Sequence, residues 1–274
     1  MPGAMKLRTL HILVLALSAA ACGSSRTAFQ RYPGAPPTFD RAGAPPQAVA
    51  VADKVVAAAG GMDNWNKAKQ IRWAAQKVTD GKVTAQGEAA WDRWNGRIYG
   101  RVETPEGGEV AVRALYGDYA LAFVEAKNGQ KETLDGKEKA VAADTLWLNF
   151  QLDVTAMMMP FLLEEPGAKL EYAGERKDGD KAYHDLKLSF PDADKPHAGL
   201  IYHALVDETT NLISRVEVEK ASSGERVGFE LSDWTDAGGL KFPATRKNLG
   251  SGELAKASNI RVGDPDDALY TAPL

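Results

Sequence analysis

Ile71-Arg72-Trp73-Ala74-Ala75-Gln76-Lys77-Val78-Thr79-Asp80-Gly81-Lys82-Val83-Thr84-Ala85-Gln86-Gly87-Glu88-Ala89-Ala90-Trp91 is the stretch that decides the fold. Ile71, Trp73 and Ala75 alternate with polar or small neighbours up to Asp80-Gly81. Val83, Ala85, Gly87, Ala89 and Trp91 take up the alternation after it. Alternation with a period of two puts one set of side chains on one face of a strand. Asp-Gly between two such runs selects a tight turn with positive φ, so the stretch predicts a β-hairpin with one apolar face.

The same grammar continues downstream. Further strands fit Arg97–Glu103, Glu109–Leu115, Tyr119–Glu125 and Gln130–Leu134, then Leu170–Lys177, Ala182–Phe190, Leu200–Val206 and Leu212–Lys220, and finally Val227–Trp234, Pro243–Asn248 and Ala257–Val262. Short strands joined by tight turns imply an antiparallel meander. A helix is predicted over Gln47–Ala59, stopped by Gly60-Gly61, with Asp63 capping a short turn through Trp65 and Lys67. The meander is interrupted by Asp144–Met159, where Trp147, Phe150, Val154 and Met157 share a helical face that Leu148 and Leu152 widen. Pro160 ends this helix in the reading, and Asp153 is its one residue expected to face water. The fold class is therefore α+β and mainly β, one long antiparallel sheet of about 10–12 strands that curls and needs its helices to cover the apolar face.

The N-terminus carries an address. Lys6 and Arg8 precede an apolar stretch from Leu10 to Leu17, and Leu15-Ala16-Leu17-Ser18-Ala19-Ala20-Ala21 leads into Cys22, the single cysteine. A short apolar run ending in small residues reads as a cleaved export signal over 1–21. Cys22 then becomes a lipidated, palmitate-bearing N-terminus; the alternative is ordinary cleavage at an Ala-x-Ala site. Gly23-Ser24 after Cys22, without Asp, favours the periplasmic face of the outer membrane. Residues 22–46 contain Pro33, Pro36, Pro37, Pro45 and Pro46 among Gly, Ser and Ala, and read as a disordered tether. Its reach is about 25–30 Å as a coil and about 70 Å as polyproline II. The folded domain is placed at 47–274. Net charge is −4, and cleavage takes away Lys6 and Arg8 but no acid, leaving −6. Such acidity argues against nucleic acid as a partner. One cysteine permits no internal disulfide, so the core supplies stability.

Catalytic signatures are sparse: there is no His-Glu-x-x-His, no Gly-x-Ser-x-Gly, no phosphate loop and no paired-cysteine motif. His184 shares its strand face with Leu186, Leu188 and Phe190, and is expected to point inward; His203 shares one with Ile201, Leu205 and Asp207. A metal or acid–base site of His184, His203 and Asp207 needs their strands to be neighbours; the bland alternative is one hydrogen-bonded inward histidine and one at the surface. Glu164-Glu165 reads as a solvated loop. The inward faces are more telling, because aromatics alternate with small residues, and Met and Leu on a covering helix adapt to variable shapes. A cavity and a filled core both fit this pattern.

Four segments carry a family resemblance. They are Ala57-Ala58-Ala59-Gly60-Gly61 with Trp65 and Ile71, and Val206-Asp207-Glu208-Thr209-Thr210-Asn211-Leu212-Ile213 within Tyr202–Val218. To these add Gly238-Gly239-Leu240-Lys241-Phe242-Pro243, and Met159-Pro160-Phe161-Leu162-Leu163 with Pro166-Gly167 and Tyr172-Ala173-Gly174-Glu175. Together they resemble a subgroup of bacterial envelope lipoproteins with the LolA/LolB-like fold of outer-membrane lipoprotein-sorting carriers, over most of residues 47–262. The resemblance implies a curled half-barrel closed by helices around a lipid-binding cavity. The expectation is thus a non-enzymatic, lipid-anchored periplasmic protein without a cofactor or metal, binding a lipid, acyl chain or other apolar ligand. Trp73, Trp91, Phe123, Trp147, Phe150, Met157, Tyr202 and Phe229 are its expected wall and lid. The rivals are an envelope scaffold with a filled core and a protein partner, and a metal- or carboxylate-dependent hydrolase. Cys22→Ser is expected to move the protein from the membrane pellet to the soluble periplasmic fraction and to abolish metabolic labelling with palmitate.

Overall fold

The computed structural model describes residues 39–103, 109–115, 118–127, 130–132, 150–190, 197 and 199–271, with the backbone alone over 109–132. Thirteen strands among them form one antiparallel sheet: β1 Gln70–Thr79, β2 Lys82–Asp92, β3 Arg97–Glu103, β4 Glu109–Leu115, β5 Asp118–Lys127, β6 Gln130–Glu132, β7 Lys169–Asp178, β8 Lys181–Ser189, β9 Leu200–Asp207, β10 Ile213–Lys220, β11 Arg226–Ala237, β12 Leu240–Asn248 and β13 Leu254–Gly263. Each of the thirteen falls on a segment whose alternation predicted a strand, β6 being a shorter version of the expected Gln130–Leu134, so the count is one above the 10–12 of the fold class. The helices are α1 Pro46–Ala58, α2 Met62–Lys67, α3 over 150–162 and α4 Ala268–Thr271.

The strand order β6-β5-β4-β3-β2-β1-β13-β12-β11-β10-β9-β8-β7 explains the architecture. Two meanders run outward from a central seam in which β1 pairs with β13, and β6 and β7 are the two edges. The sheet is therefore open rather than closed. Asp80 at φ +51° and Gly81 at φ +74° make the two-residue turn that the Asp-Gly signal demands, flanked by the Thr79–Lys82 pair. Bulges at Arg72/Ala74 in the seam and at Tyr172/Gly174 in β7 add local twist and help the sheet curl.

Register sorts the side chains as the alternation requires. Ile71 lies opposite Trp91, which lies opposite Ile98, and all three are buried. On the other half, Leu186, Ala204, Val216 and Phe229 form one row across β8 to β11. Helix α1 packs over β7 and β8, burying Ala48, Val51, Ala52, Val55 and Val56. Helix α3 crosses the same face, with Phe150 stacked on Trp73 (centroids 5.8 Å apart) and Phe161 on Trp65 (4.3 Å).

Three local expectations change. Helix α3 continues through Pro160 to residue 162, because Phe161, Leu162 and Leu163 bury almost completely and compensate for the missing Pro160 N–H; residues 144–149 of that expected helix lie outside the described residues. The N-cap of α2 is Gly61, with Asp63 inside the first turn. Packing also begins upstream of the expected domain start, since Phe39 joins the core and Arg41 binds Asp53 of α1.

Two glycine pairs distant in sequence form a clasp. Helix α1 ends in a Schellman turn, with Gly61 N–H donating to Val56 (2.8 Å), Gly60 N–H to Ala57 (3.1 Å) and Gly60 at φ +107°. The turn docks on the β11–β12 hairpin, whose turn residues Gly238 and Gly239 both have positive φ. Lys241 N–H donates to the Ala59 carbonyl (3.0 Å), and the Asn64 amide donates to the carbonyls of Gly60 (2.9 Å) and Gly239 (3.2 Å). A Cβ on Gly60 would overlap the Gly239 carbonyl. Gly60→Ala is expected to destabilise the protein by about 1–3 kcal/mol through strained backbone, and Asn64→Ala by about 1 kcal/mol; thermal unfolding followed by circular dichroism reads both.

Candidate functional site

The concave face under α3 collects most of the aromatic residues expected to form a wall. Trp73, Trp91, Phe150, Met157 and Tyr202 belong to one buried cluster. Trp73, Met157 and Tyr202 are each 2% exposed and Trp91 is 1%, so they touch protein rather than solvent. Phe229 is buried but stands outside that cluster, 5.2 Å beneath the guanidinium of Arg246. Phe123 is paired with Val112 through the β4–β5 backbone, its side chain lying outside the described residues together with all of Trp147. Beside the aromatic cluster the same face carries Ala75, Ala89, Gly100 and Ala257, all partly exposed, and a Cβ on Gly100 would meet open space.

A polar contact crosses this apolar interface. Asp153 of α3 points to the sheet, not to water as expected. Its Oδ1 accepts from Arg246 Nη2 at 3.0 Å, and its Oδ2 from Trp73 Nε1 at 3.4 Å. Asp153 and Arg246 are 18% and 12% exposed, which makes the pair costly to break one partner at a time. Arg246 Nε is buried with no hydrogen-bond partner among the described residues. The sequence reading missed Arg246, although it shares the inward parity of Leu240, Phe242 and Ala244 on β12. An arginine in that row was the available signal.

A second polar contact fixes the far end of α3. Glu164, expected in a solvated loop, is mostly buried, with its Oε1 3.4 Å from Arg41 Nη1. Arg41 also donates to both Asp53 oxygens at 2.6 and 2.7 Å. Burial raises the Glu164 carboxyl above its usual range, and the neighbouring Asp53 carboxyl raises it further. The Arg41 bond holds Asp53 below the usual range and raises the Arg41 guanidinium in turn. The helix thus joins the sheet through Asp153 and α1 through Glu164.

The histidines do not converge. His203 lies opposite Lys187 and Glu217, and its Nδ1 is 3.1 Å from Asp185, which also receives Arg176 at 2.7 Å. His184 shares its face with Val206 and Glu175 instead, and its Nδ1 is 3.0 Å from the Tyr172 hydroxyl. Asp207 caps the β9–β10 turn, its Oδ1 accepting from Thr209 N–H, Thr210 N–H and the Thr210 hydroxyl. The set His184, His203 and Asp207 is therefore not one site. His197, 2.7 Å from the Tyr202 hydroxyl, is pushed down to about 4 by burial and stays neutral at physiological pH.

No family model matches the sequence, and no curated protein matches it. Solved structures do. The chain is similar to a DUF1329 family protein from Desulfovibrio piger (12% identity, 82% of this chain and 97% of that one, TM-score 0.47). It is also similar to a LolA superfamily protein from Nitrosomonas europaea (11%, 80% and 97%, TM-score 0.44). A third is a putative outer membrane lipoprotein-sorting protein domain from Vibrio parahaemolyticus (9%, 80% and 97%, TM-score 0.42).

The Glu164 contact has a defined pH signature. Because its folded pKa is raised, its contribution is present below the unfolded carboxylate pKa and is lost as pH climbs through the folded value. Asp53, held low, loses its contribution only as pH falls through its own folded value. Glu164→Gln is expected to stabilise the protein at neutral pH and to flatten the decline of stability as pH rises above the ordinary carboxylate range; urea unfolding at a series of pH values measures both.

Proposed function

We propose that this protein is a lipid-anchored module of the bacterial envelope that holds a lipid, acyl chain or other apolar ligand against the concave face of its open sheet, beneath α3. The observation that carries the reading is Arg246: a guanidinium set into an apolar face, with one donor on Asp153 and a buried Nε–H that has no partner among the described residues. Buried donors of that kind call for an acceptor. An amphiphile supplies one, an acid or ester oxygen for Arg246 and a chain for the strip of Ala75, Ala89, Gly100 and Ala257.

The energetics permit α3 to yield. Each buried methylene contributes about 0.8 kcal/mol, so a chain of about ten offers about 8 kcal/mol. Parting the Asp153–Arg246 pair costs about 3–5 kcal/mol if neither group finds a substitute, and less if the ligand replaces Asp153 on Arg246. Met157, Met158 and Met159 on α3 have unbranched side chains that repack around a guest at low cost. Broad rather than selective affinity follows from binding by area. The reading assigns no catalytic step, and it places the protein at the periplasmic face of the outer membrane, with Cys22 as anchor and 22–38 as spacer.

A second reading has its own support. The near-complete burial of Trp73, Trp91, Met157 and Tyr202 suits a scaffold with a filled core that acts through its surface on an envelope partner. Solvent extraction of the purified protein followed by mass spectrometry separates the two. Co-purified phospholipid or fatty acid near one per protein, displaceable by a fluorescent fatty acid, is expected. Asp153→Asn, which loosens α3 and keeps Arg246, is expected to tighten fatty-acid binding several-fold. Protein that is consistently empty and ignores the probe would leave the scaffold reading in place.

A further inference from the structure

Glu175, His184 and Glu208 come together at the rim of the concave face, with one ligand atom from each within 4.8 Å of the others. Among the described residues this is the one group of three or more His, Cys, Asp or Glu side chains so arranged. Three separate segments build it. The bulge at Tyr172/Gly174, with Gly174 at φ +115°, resets β7 so that Glu175 stands directly opposite His184 of β8. Glu208 comes from the β9–β10 turn, which Asp207 caps and whose Glu208 N–H donates to the Ala182 carbonyl of β8 at 3.2 Å. The Tyr172 hydroxyl lies 3.0 Å from His184 Nδ1 and Glu208 Oε1 lies 3.8 Å from the same nitrogen, so an ion held by Nδ1 displaces the Tyr172 contact.

The charges around the group set it apart from its surroundings. Neighbouring acids on these strands have cations: Glu171 has Lys169 and Lys187, Asp178 has Arg215, Asp185 has Arg176, Glu217 has Arg176 and Arg226, and Glu219 has Arg226. Glu175 and Glu208 have neither lysine nor arginine within ion-pair distance among the described residues. Two carboxylates thus face one imidazole with no compensating cation. An imidazole with two carboxylates is the nitrogen and oxygen donor set that suits a borderline divalent ion.

We propose that Glu175, His184 and Glu208 bind a divalent transition-metal ion of the zinc class. Metal–ligand distances of about 2.0–2.2 Å require the three side chains to close by about 1 Å from their present spacing, which half-exposed rim residues can do by small rotations. The ion neutralises the carboxylates, joins β7, β8 and the β9–β10 turn at one end of the sheet, and keeps a coordination position for water or a ligand oxygen. It is distinct from the Arg246 region and does not depend on lipid binding.

The test is calorimetric titration of Zn2+ into the chelator-treated full-length protein at pH 7.5, with metal content measured after dialysis. Saturable uptake of one ion at micromolar or tighter affinity is expected. His184→Ala and Glu208→Gln should each weaken it at least tenfold, while His203→Ala on the opposite face leaves it unchanged. Circular dichroism checks that each variant is folded, and Glu208, in an exposed turn, is the substitution least able to disturb the fold. Absence of saturable binding in the wild type, or binding of undiminished affinity in folded His184→Ala or Glu208→Gln, overturns the proposal.

Discussion

An open antiparallel sheet with one apolar face is stable only when that face is covered, and this requirement organises the molecule. Thirteen strands present a concave row running from Ile98 and Trp91 through Ile71 to Leu231, Val216, Ala204 and Leu186. The covers are α1 over β7 and β8, and α3 across the middle. Apolar burial provides most of the attraction but has no direction. Direction comes from a few polar contacts: the clasp of Gly60 and Asn64 on Gly239, Arg41 with Asp53 and Glu164, and Arg246 with Asp153. Buried Arg93 adds another, donating to the carbonyls of Trp65 and Ala68 at the end of α2 while its guanidinium stacks 3.5 Å over the Trp65 ring.

What could be read in the sequence was local. Alternation and turn chemistry located the strands, since a period of two and a positive-φ turn are properties of adjacent residues. The Asp80-Gly81 hairpin and the limits of β3 and β4 need no knowledge of distant chain. Pairings across distance were hidden. The two glycine motifs looked like separate turn signals, yet they meet although Asn64 and Gly239 are 175 positions apart. Asp153 looked like a solvent residue because an isolated acid on an apolar helix has no visible partner; its partner sits 93 positions away on β12. Glu164 was misplaced for the same reason, its cation being Arg41 in a segment read as tether.

The histidines illustrate a subtler limit. Parity along each strand left open a joint site of His184 and His203 on neighbouring strands, because on adjacent antiparallel strands it is the register that decides which faces coincide. Strands β8 and β9 are neighbours, yet the two histidines face opposite ways, and His203 is buried rather than at the surface. Register itself was not visible, and it gave His184 to Val206 and Glu175, and His203 to Lys187. A bulge then mattered as much as parity. Had Ala173 paired regularly with Asp185, Gly174 would stand opposite His184 and Glu175 opposite Tyr183, on the other face.

The central seam has a consequence for how the chain reaches this form. Within β1 to β6, and within β7 to β13, each pairing joins neighbours in sequence, so either ribbon can zip from its own hairpins with little loop entropy to overcome. The β1–β13 ladder is different, joining Gln70 to Gly263 and Val78 to Leu254. Those contacts have the longest sequence separation in the sheet, and no part of them can form until β13 has emerged from the ribosome. Until then β1 is a bare edge, open to mispairing. The two ribbons can each form early, but the sheet becomes continuous only when its most C-terminal strand pairs with its first.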